Sequence, residues 1–346
     1  MYLTEQEILD TPNALKRTVA YFEEQKDALK AFFAKNPQKK FTFFGCGSSF
    51  MLSKSAAALF NSIAGTTACA VPAGDYIVEP AYWAEAVRGS IVVSLSRSGR
   101  TSEMVRAVKH VKETLGCPVL SLSMENGNDI MPMSDFDLTM DWCYDKSVCQ
   151  TRTVANLYAM TLLVAAAYAD NAKLAEAVKA VAEKLADFQL GNMATLETLA
   201  NKDWTSAVVL ADGAVCGIAE EGALAFTEIA MLTGRYFHVL DYRHGPIVIS
   251  GPSTITLMLL NPAEEALQAA MVQDVKKHGG IVVTVSDKAG NPYQATEHIQ
   301  IEGIAEFAAV GIPFIYLAQM LAFKKAIALG GNPDAPTGLD AYITLA

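Results

Sequence analysis

Short apolar runs of strand length alternate with helix-length segments along this chain, and the alternation occurs twice. Short strand-type runs stand at 41–45, 67–71, 90–94, 118–123 and 136–140. Helical spacing covers 13–34, where Leu15, Val19, Phe22, Leu29 and Phe33 mark one face, and then, after a loop at 46–49, the stretch to about 63, followed by 102–115 and 153–169. Strands that are apolar throughout, rather than alternating, are buried on both faces. They belong to parallel sheets covered by helices, so the expectation is an α/β protein built from βαβ units.

A second series repeats the order. Strands are expected at 206–211, 236–240, 254–260, 281–286 and 298–301, with helices at 217–232, 263–278 and 307–329. Between the series lies an Ala- and Leu-rich stretch, 171–198, without proline, which reads as a long connecting helix broken at 201–204. The chain of 346 residues therefore reads as a duplicated unit of about 150 residues. The expected organisation is a helical lead-in at 1–24, one domain at 25–185 and a second at 195–340.

Composition narrows the function. The net charge of −10 argues against nucleic acid and anionic membrane surfaces, which are bound through basic patches. It leaves room for a small anion, because backbone N–H groups hold a phosphate without net positive charge. The mean hydropathy is high, +0.22. Residues 157–169 read as the longest apolar stretch, shorter than the ~18–20 residues a spanning helix needs. The amino terminus has no signal-peptide pattern, and Cys46, Cys69, Cys117, Cys143, Cys149 and Cys216 form no Cys-x-x-Cys. Reduced core thiols in a cytoplasmic protein are expected.

In parallel α/β sheets, ligands sit at the carboxyl ends of the strands. Two polar loops fall there in the first half. The stretch 94–102, Ser-Leu-Ser-Arg-Ser-Gly-Arg-Thr-Ser, carries four serines and one threonine. A helix cap at Thr101 or Ser102 accounts for one hydroxyl, not five, so the loop reads as a phosphate cradle. The stretch 45–49, Gly-Cys-Gly-Ser-Ser, starts like a dinucleotide fingerprint, but Phe50 stands where the third glycine belongs and no acidic residue directly follows the next strand. A nicotinamide cofactor is not expected. Ligand binding and a plain turn capped by Ser48 or Ser49 remain open for this loop.

The second half supplies ionisable groups. Glu221 and Glu228 lie two turns apart on one helix face, and Glu228 stands among Ala225, Phe226, Ile229 and Ala230. Partial burial there would raise its pKa and suit it to act as a base; an ordinary exposed helix glutamate is the alternative. His244, followed by Gly245 and Pro246 at a strand end, is a candidate acid–base group; a purely structural histidine is the alternative. The loop 145–152 has one acid and two bases, and His110, His238, His278 and His298 have no metal-ligand spacing, so no metal is expected.

Taken in order, the motifs at 44–49, 94–101, 148–152, 221–228 and 243–246 resemble the sugar isomerase (SIS) family, over roughly residues 25–340. The similarity is to a tandem pair of SIS domains, as in the isomerase half of glucosamine-6-phosphate synthase and in stand-alone phosphosugar isomerases and fructosamine-6-phosphate deglycases. It implies two flavodoxin-like, three-layer αβα domains, each with a parallel sheet of about five strands. It also implies a phosphorylated sugar as substrate, no cofactor and a homodimer. By position, Ser96, Ser98 and Thr101 would hold the phosphate with Ser48 and Ser49, and Arg97 stands where the synthase has Gln. Val148, through its backbone, and Gln150 would line the sugar. Glu228 matches the base moving a proton between C1 and C2, and His244 the ring-opening residue lent by the neighbouring subunit.

The departures set further expectations. The synthase's lysine three residues before its base is Ala225 here, and the stretch 338–344, around Ala341, lacks the second lysine. With Met1 opening the chain and no glutaminase segment before it, a stand-alone enzyme is expected rather than the synthase. The expected activity enolises an amino- or amine-conjugated sugar phosphate and isomerises it or releases the amine. An aldose–ketose isomerase without amine release and a non-catalytic sugar-phosphate regulator are the alternatives. A DNA-binding regulator is not expected, with no helix-turn-helix before residue 25.

Overall fold

The computed structural model describes residues 1–340 and 345. Residues 341–344, part of the stretch that lacks the second lysine, lie outside the described residues. The helices are α1 (Leu3–Lys35), α2 (Ser48–Asn61), α3 (Ala73–Val78), α4 (Pro80–Val87), α5 (Ser102–Glu113), α6 (Arg152–Tyr168), α7 (Ala172–Ala200), α8 (Cys216–Glu228), α9 (Glu265–Lys277) and α10 (Phe307–Ala328). The strands are β1 (Lys40–Gly45), β2 (Thr67–Pro72), β3 (Ile91–Ser96), β4 (Val119–Ser123), β5 (Phe136–Thr139), β6 (Ser206–Leu210), β7 (Thr233–Phe237), β8 (Thr254–Leu259), β9 (Ile281–Ser286) and β10 (Glu297–Gln300).

The strands form two five-stranded sheets, in the orders β2-β1-β3-β4-β5 and β10-β9-β8-β6-β7. Every pairing is parallel. Renumbered from its own first strand, the second sheet has the same 2-1-3-4-5 order as the first, which is the flavodoxin-like order. The expected duplication of one α/β architecture is thus present as two copies of one topology. The chain divides into two compact units: one of Asp10–Glu183 with the chain's end from Asp340, the other of Met1–Leu9 with Lys184–Leu339.

Each sheet is covered on both faces. In the first, Phe41 and Phe43 stand two apart on β1 and therefore on one face. Phe60 of α2 packs on both, at ring distances of 4.6 and 5.0 Å, and Tyr168 of α6 packs on Phe41. Phe44 faces the other way, onto Tyr76 of α3, in a cluster with Val92 and with Met104, Val108 and Val111 of α5. In the second sheet, Val208, Met258 and Val282 pack with Met271, Val272 and Val275 of α9. α8 and α10 pack together on the opposite face, where Gly222 lies beside Ala318, Ile315 and Val209.

The structure corrects three readings. Among the described residues, α10, not 157–169, is the segment long and apolar enough to cross a bilayer, but 89% of its apolar window is buried inside the protein. It is a core helix. The strand expected at 236–240 is β7, Thr233–Phe237, an edge strand whose polar residues hide its pattern. The helix expected to reach residue 232 ends at Glu228, because Met231 turns into the left-handed region at φ 55°.

One buried cation joins α10 to the end of α7. Lys325 is 4% exposed and lies over the Trp204 ring, 4.5 Å from its centroid. Its Nζ donates to the carbonyls of Ala200 and Lys202 at 3.1 and 2.8 Å, and burial lowers its pKa. Lys325→Met should leave both carbonyls short of a donor and cost about 2–4 kcal/mol. A urea titration checks this: the midpoint falls while the slope is unchanged.

Candidate functional site

The reversal point of the first sheet lies between β1 and β3. The helices that follow these strands, α2 and α5, run back along opposite faces, so the two loops part and leave a crevice at the carboxyl ends. A small cavity opens there, lined by Cys46, Ser49, Leu95, Ser96, Arg97, Ser98, Thr101, Met104 and Gln150. Six of the proposed ligand-binding residues therefore converge on one cavity. Ser48, adjacent at the start of α2, is buried. Val148 does not line the cavity; its carbonyl accepts from Arg97 Nη1 at 3.3 Å.

Two glycines make the crevice possible. A Cβ on Gly45 would lie 2.3 Å from the Ser49 carbonyl carbon, because the first turn of α2 passes directly over it. Gly99 has φ +61°, and a Cβ there would meet the Asn128 side chain at 2.4 Å. Both loops thus need glycine for close approach, and the second also for its backbone conformation.

The hydroxyls are not engaged in capping. The N-cap of α2 is Gly47, so Ser48 and Ser49 are its first two residues rather than its caps. The N-cap of α5 is Thr101, and its side chain makes no capping bond. Ser96 Oγ accepts from Gly99 N–H at 2.9 Å, and Ser98 Oγ accepts from Arg100 N–H at 3.2 Å. A hydroxyl that accepts keeps its own hydrogen to donate. Hydroxyl donors and two helix amino termini surround the cavity, which is the chemistry of an anion site. The two loop arginines divide. Arg100 pairs with Glu125 and Asp129 at 3.0 and 3.3 Å, whereas Arg97 is buried at the cavity.

The segment leading into α6 closes one side. Asp145, fully buried, accepts from Thr151 N–H at 2.7 Å and Thr153 N–H at 2.8 Å, so it satisfies the amino-terminal donors of α6 from six and eight residues upstream. That distance lies outside the usual capping spacing, so the sequence pattern did not reveal it. Cys46 was also missed as a lining residue. Burial first, and then the Glu103 carboxylate, push its thiol up to about 12.

In the other unit, Glu228 is the last residue of α8 and is half-buried; Glu221 is 1% exposed. His244 is exposed. It follows a single helical turn, Asp241–Arg243, that Arg243 anchors to α9 through Asp274, Nε to Oδ2 at 2.7 Å. Tyr242 Oη and Ser250 Oγ share a hydrogen bond of 2.8 Å across the same loop. Exposure of His244 and half-burial of Glu228 leave both side chains accessible. Among the described residues, no cluster of three His, Cys, Asp or Glu side chains has metal-binding geometry.

Comparison with known proteins agrees with the motifs. Residues 36–169 match the family model of the SIS domain. The chain is 23% identical over 356 residues to a D-galactosamine-6-phosphate deaminase of Escherichia coli, covering 96% of this chain and 91% of that one. Its fold is that of the tagatose-6-phosphate ketose/aldose isomerase of Escherichia coli, at a TM-score of 0.86 and 20% identity, covering 99% and 97% of the two chains. It equally matches the C-terminal domain of glucosamine-fructose-6-phosphate aminotransferase from Francisella tularensis, at a TM-score of 0.82 and 19% identity, covering 98% of each.

Cys46 supplies a check on the cavity. Its folded thiol titrates above the ordinary 9.0, so it stays neutral through pH 8 and weakens stability only as the pH rises past 9. Iodoacetamide at pH 8 should alkylate it at least about tenfold more slowly than in urea-unfolded protein, read by peptide mass spectrometry. Gly99→Ala should collapse the loop and reduce phosphate binding at least about tenfold, read by calorimetric titration with inorganic phosphate.

Proposed function

We propose that this chain, whose residues 36–169 carry a SIS domain, is an enzyme that enolises a sugar phosphate, with amine release as its favoured outcome. The observation that carries the reading is the cavity between the loops after β1 and β3. Ser49, Ser96, Ser98 and Thr101 converge there with hydroxyls not engaged in capping. A single phosphate fits this donor set despite the net charge of −10. In this reading the duplicated domains span 25–185 and 195–340 after a helical lead-in at 1–24.

Glu228 is the proposed base. On an open-chain 2-amino aldose phosphate, it takes the C2 proton, which the C1 aldehyde acidifies, giving an enolamine. Return of a proton to C1 gives a C2 imine. Water then hydrolyses the imine to a ketose phosphate and ammonia. With a hydroxyl at C2, the same two proton transfers give aldose–ketose isomerisation and stop there. Neither sequence calls on a redox cofactor. His244 is the proposed ring-opening acid–base group, delivered to the neighbouring subunit of a homodimer. Its exposure, on a loop that also exposes Val248, supports that role. The full-length similarity to a galactosamine-6-phosphate deaminase supports amine release, as do Ala225 and the missing lysine near Ala341. Free thiols at all six cysteines support a cytoplasmic setting.

Incubation with galactosamine 6-phosphate, fructosamine 6-phosphates and tagatose 6-phosphate, scoring released amine and both aldose and ketose phosphates, separates the branches. Amine release is expected from an amino sugar phosphate. Turnover of tagatose 6-phosphate alone would assign an isomerase, and binding without turnover a regulator. Glu228→Gln should lower kcat by about 10²–10⁴ while sugar-phosphate affinity changes less than about threefold. Full activity in that variant removes Glu228 as the base.

A further inference from the structure

Arg97 sits in the phosphate loop but holds a different part of the chain. It is 4% exposed, and its Nη1 donates to the carbonyls of Ser147 and Val148 at 3.0 and 3.3 Å. Its guanidinium carbon lies 5.8 Å from the Tyr144 ring centroid. One buried side chain thus spans from the loop after β3 to the segment entering α6. That segment is already ordered from within, by Asp145 on the Thr151 and Thr153 amides and by Ser147 Oγ donating to the Cys149 carbonyl at 2.8 Å. The same segment carries Gln150, which lines the cavity beside Arg97 and whose Oε1 is buried without a hydrogen-bond partner. A buried acceptor without a donor is unfavourable, and native sites supply one.

We infer that Arg97 is a positioning residue for substrate recognition: it fixes the segment 147–150 against the phosphate loop, so that Gln150 Oε1 accepts an O–H or N–H from the sugar end of a ligand whose phosphate is seated at Ser96, Ser98 and Thr101. The inference rests on the phosphosugar reading of this cavity. A planar guanidinium suits the task because it reaches two carbonyls from one nitrogen while its flat face meets Tyr144. A lysine keeps the charge and loses that geometry. The phosphate itself has hydroxyls and helix amino termini, which Arg97 does not supply. Charge loss at Arg97 weakens any anion alike, whereas loss of the brace weakens only ligands that extend to Gln150.

The test compares Arg97→Lys, Arg97→Gln and Gln150→Met with wild type, each first shown to fold by circular dichroism and melting. Titrations use inorganic phosphate and galactosamine 6-phosphate. Arg97→Lys and Gln150→Met should bind inorganic phosphate within about threefold of wild type and lose at least about tenfold for the sugar phosphate. Arg97→Gln should lose for both ligands, and by at least about tenfold more for the sugar phosphate. In unliganded protein, hydrogen exchange of peptides spanning 144–151 should quicken in both Arg97 variants and not in Gln150→Met. Parallel losses for both ligands, rescue of sugar-phosphate affinity by lysine, or unchanged exchange would each overturn the inference. If wild type binds neither ligand, the phosphosugar reading falls. Recognition falls with it, and exchange then reports only whether Arg97 braces the segment.

Discussion

The reversal of crossover direction between β1 and β3 is the constraint on which the site depends. Adjacent parallel strands whose following helices cover opposite faces cannot close their carboxyl-end loops over one another. The sheet's burial enforces this. Phe41 and Phe43 need α2 and α6 on one side, and Phe44 and Val92 need α3 and α5 on the other. The crevice is therefore a by-product of covering both faces of an apolar sheet. Its polar lining comes from residues that the core does not use.

That lining reconciles an acidic protein with an anionic ligand. The charge of −10 belongs to the whole molecule, while the cavity presents hydroxyls, two helix amino termini and the buried Arg97. Local donors at short range outweigh distant surface carboxylates, whose fields water and salt screen. Arg100, two residues beyond the cavity's serine, shows the contrast: its charge is neutralised by Glu125 and Asp129. Two arginines in one loop thus have different work, and only packing separates them.

Much of the architecture was legible because burial writes itself into strands. The run 281–286 is mostly Ile and Val, broken only by Thr284 and closed by Ser286, and the strand β9 has those same bounds. Legibility failed where burial was partial. β7 is an edge strand with Thr233 exposed and Arg235 exposed, so the apolar residues after it drew the expected strand downstream. α3 and α4, of six and eight residues, are too short to show a periodicity. In the site, the hydroxyl-rich loop stood out by composition. The buried role of Asp145 did not, because its partners lie in a turn that only the folded segment brings back to it.

The sequence by itself determined a duplicated parallel α/β architecture, the two loops at strand ends and the hydroxyl-rich composition of one of them. These are local or periodic properties, carried by residues near one another in the chain. Only the tertiary structure decided that Ser49, Ser96, Thr101 and Gln150 share a cavity, that Thr101 leaves its hydroxyl out of the helix cap, and that Arg97 turns toward Ser147 and Val148. The reason is physical. Residues fifty positions apart meet only when β3 and the segment before α6 are packed on the same sheet, and the direction a buried guanidinium takes is set by the carbonyls that packing leaves within its reach.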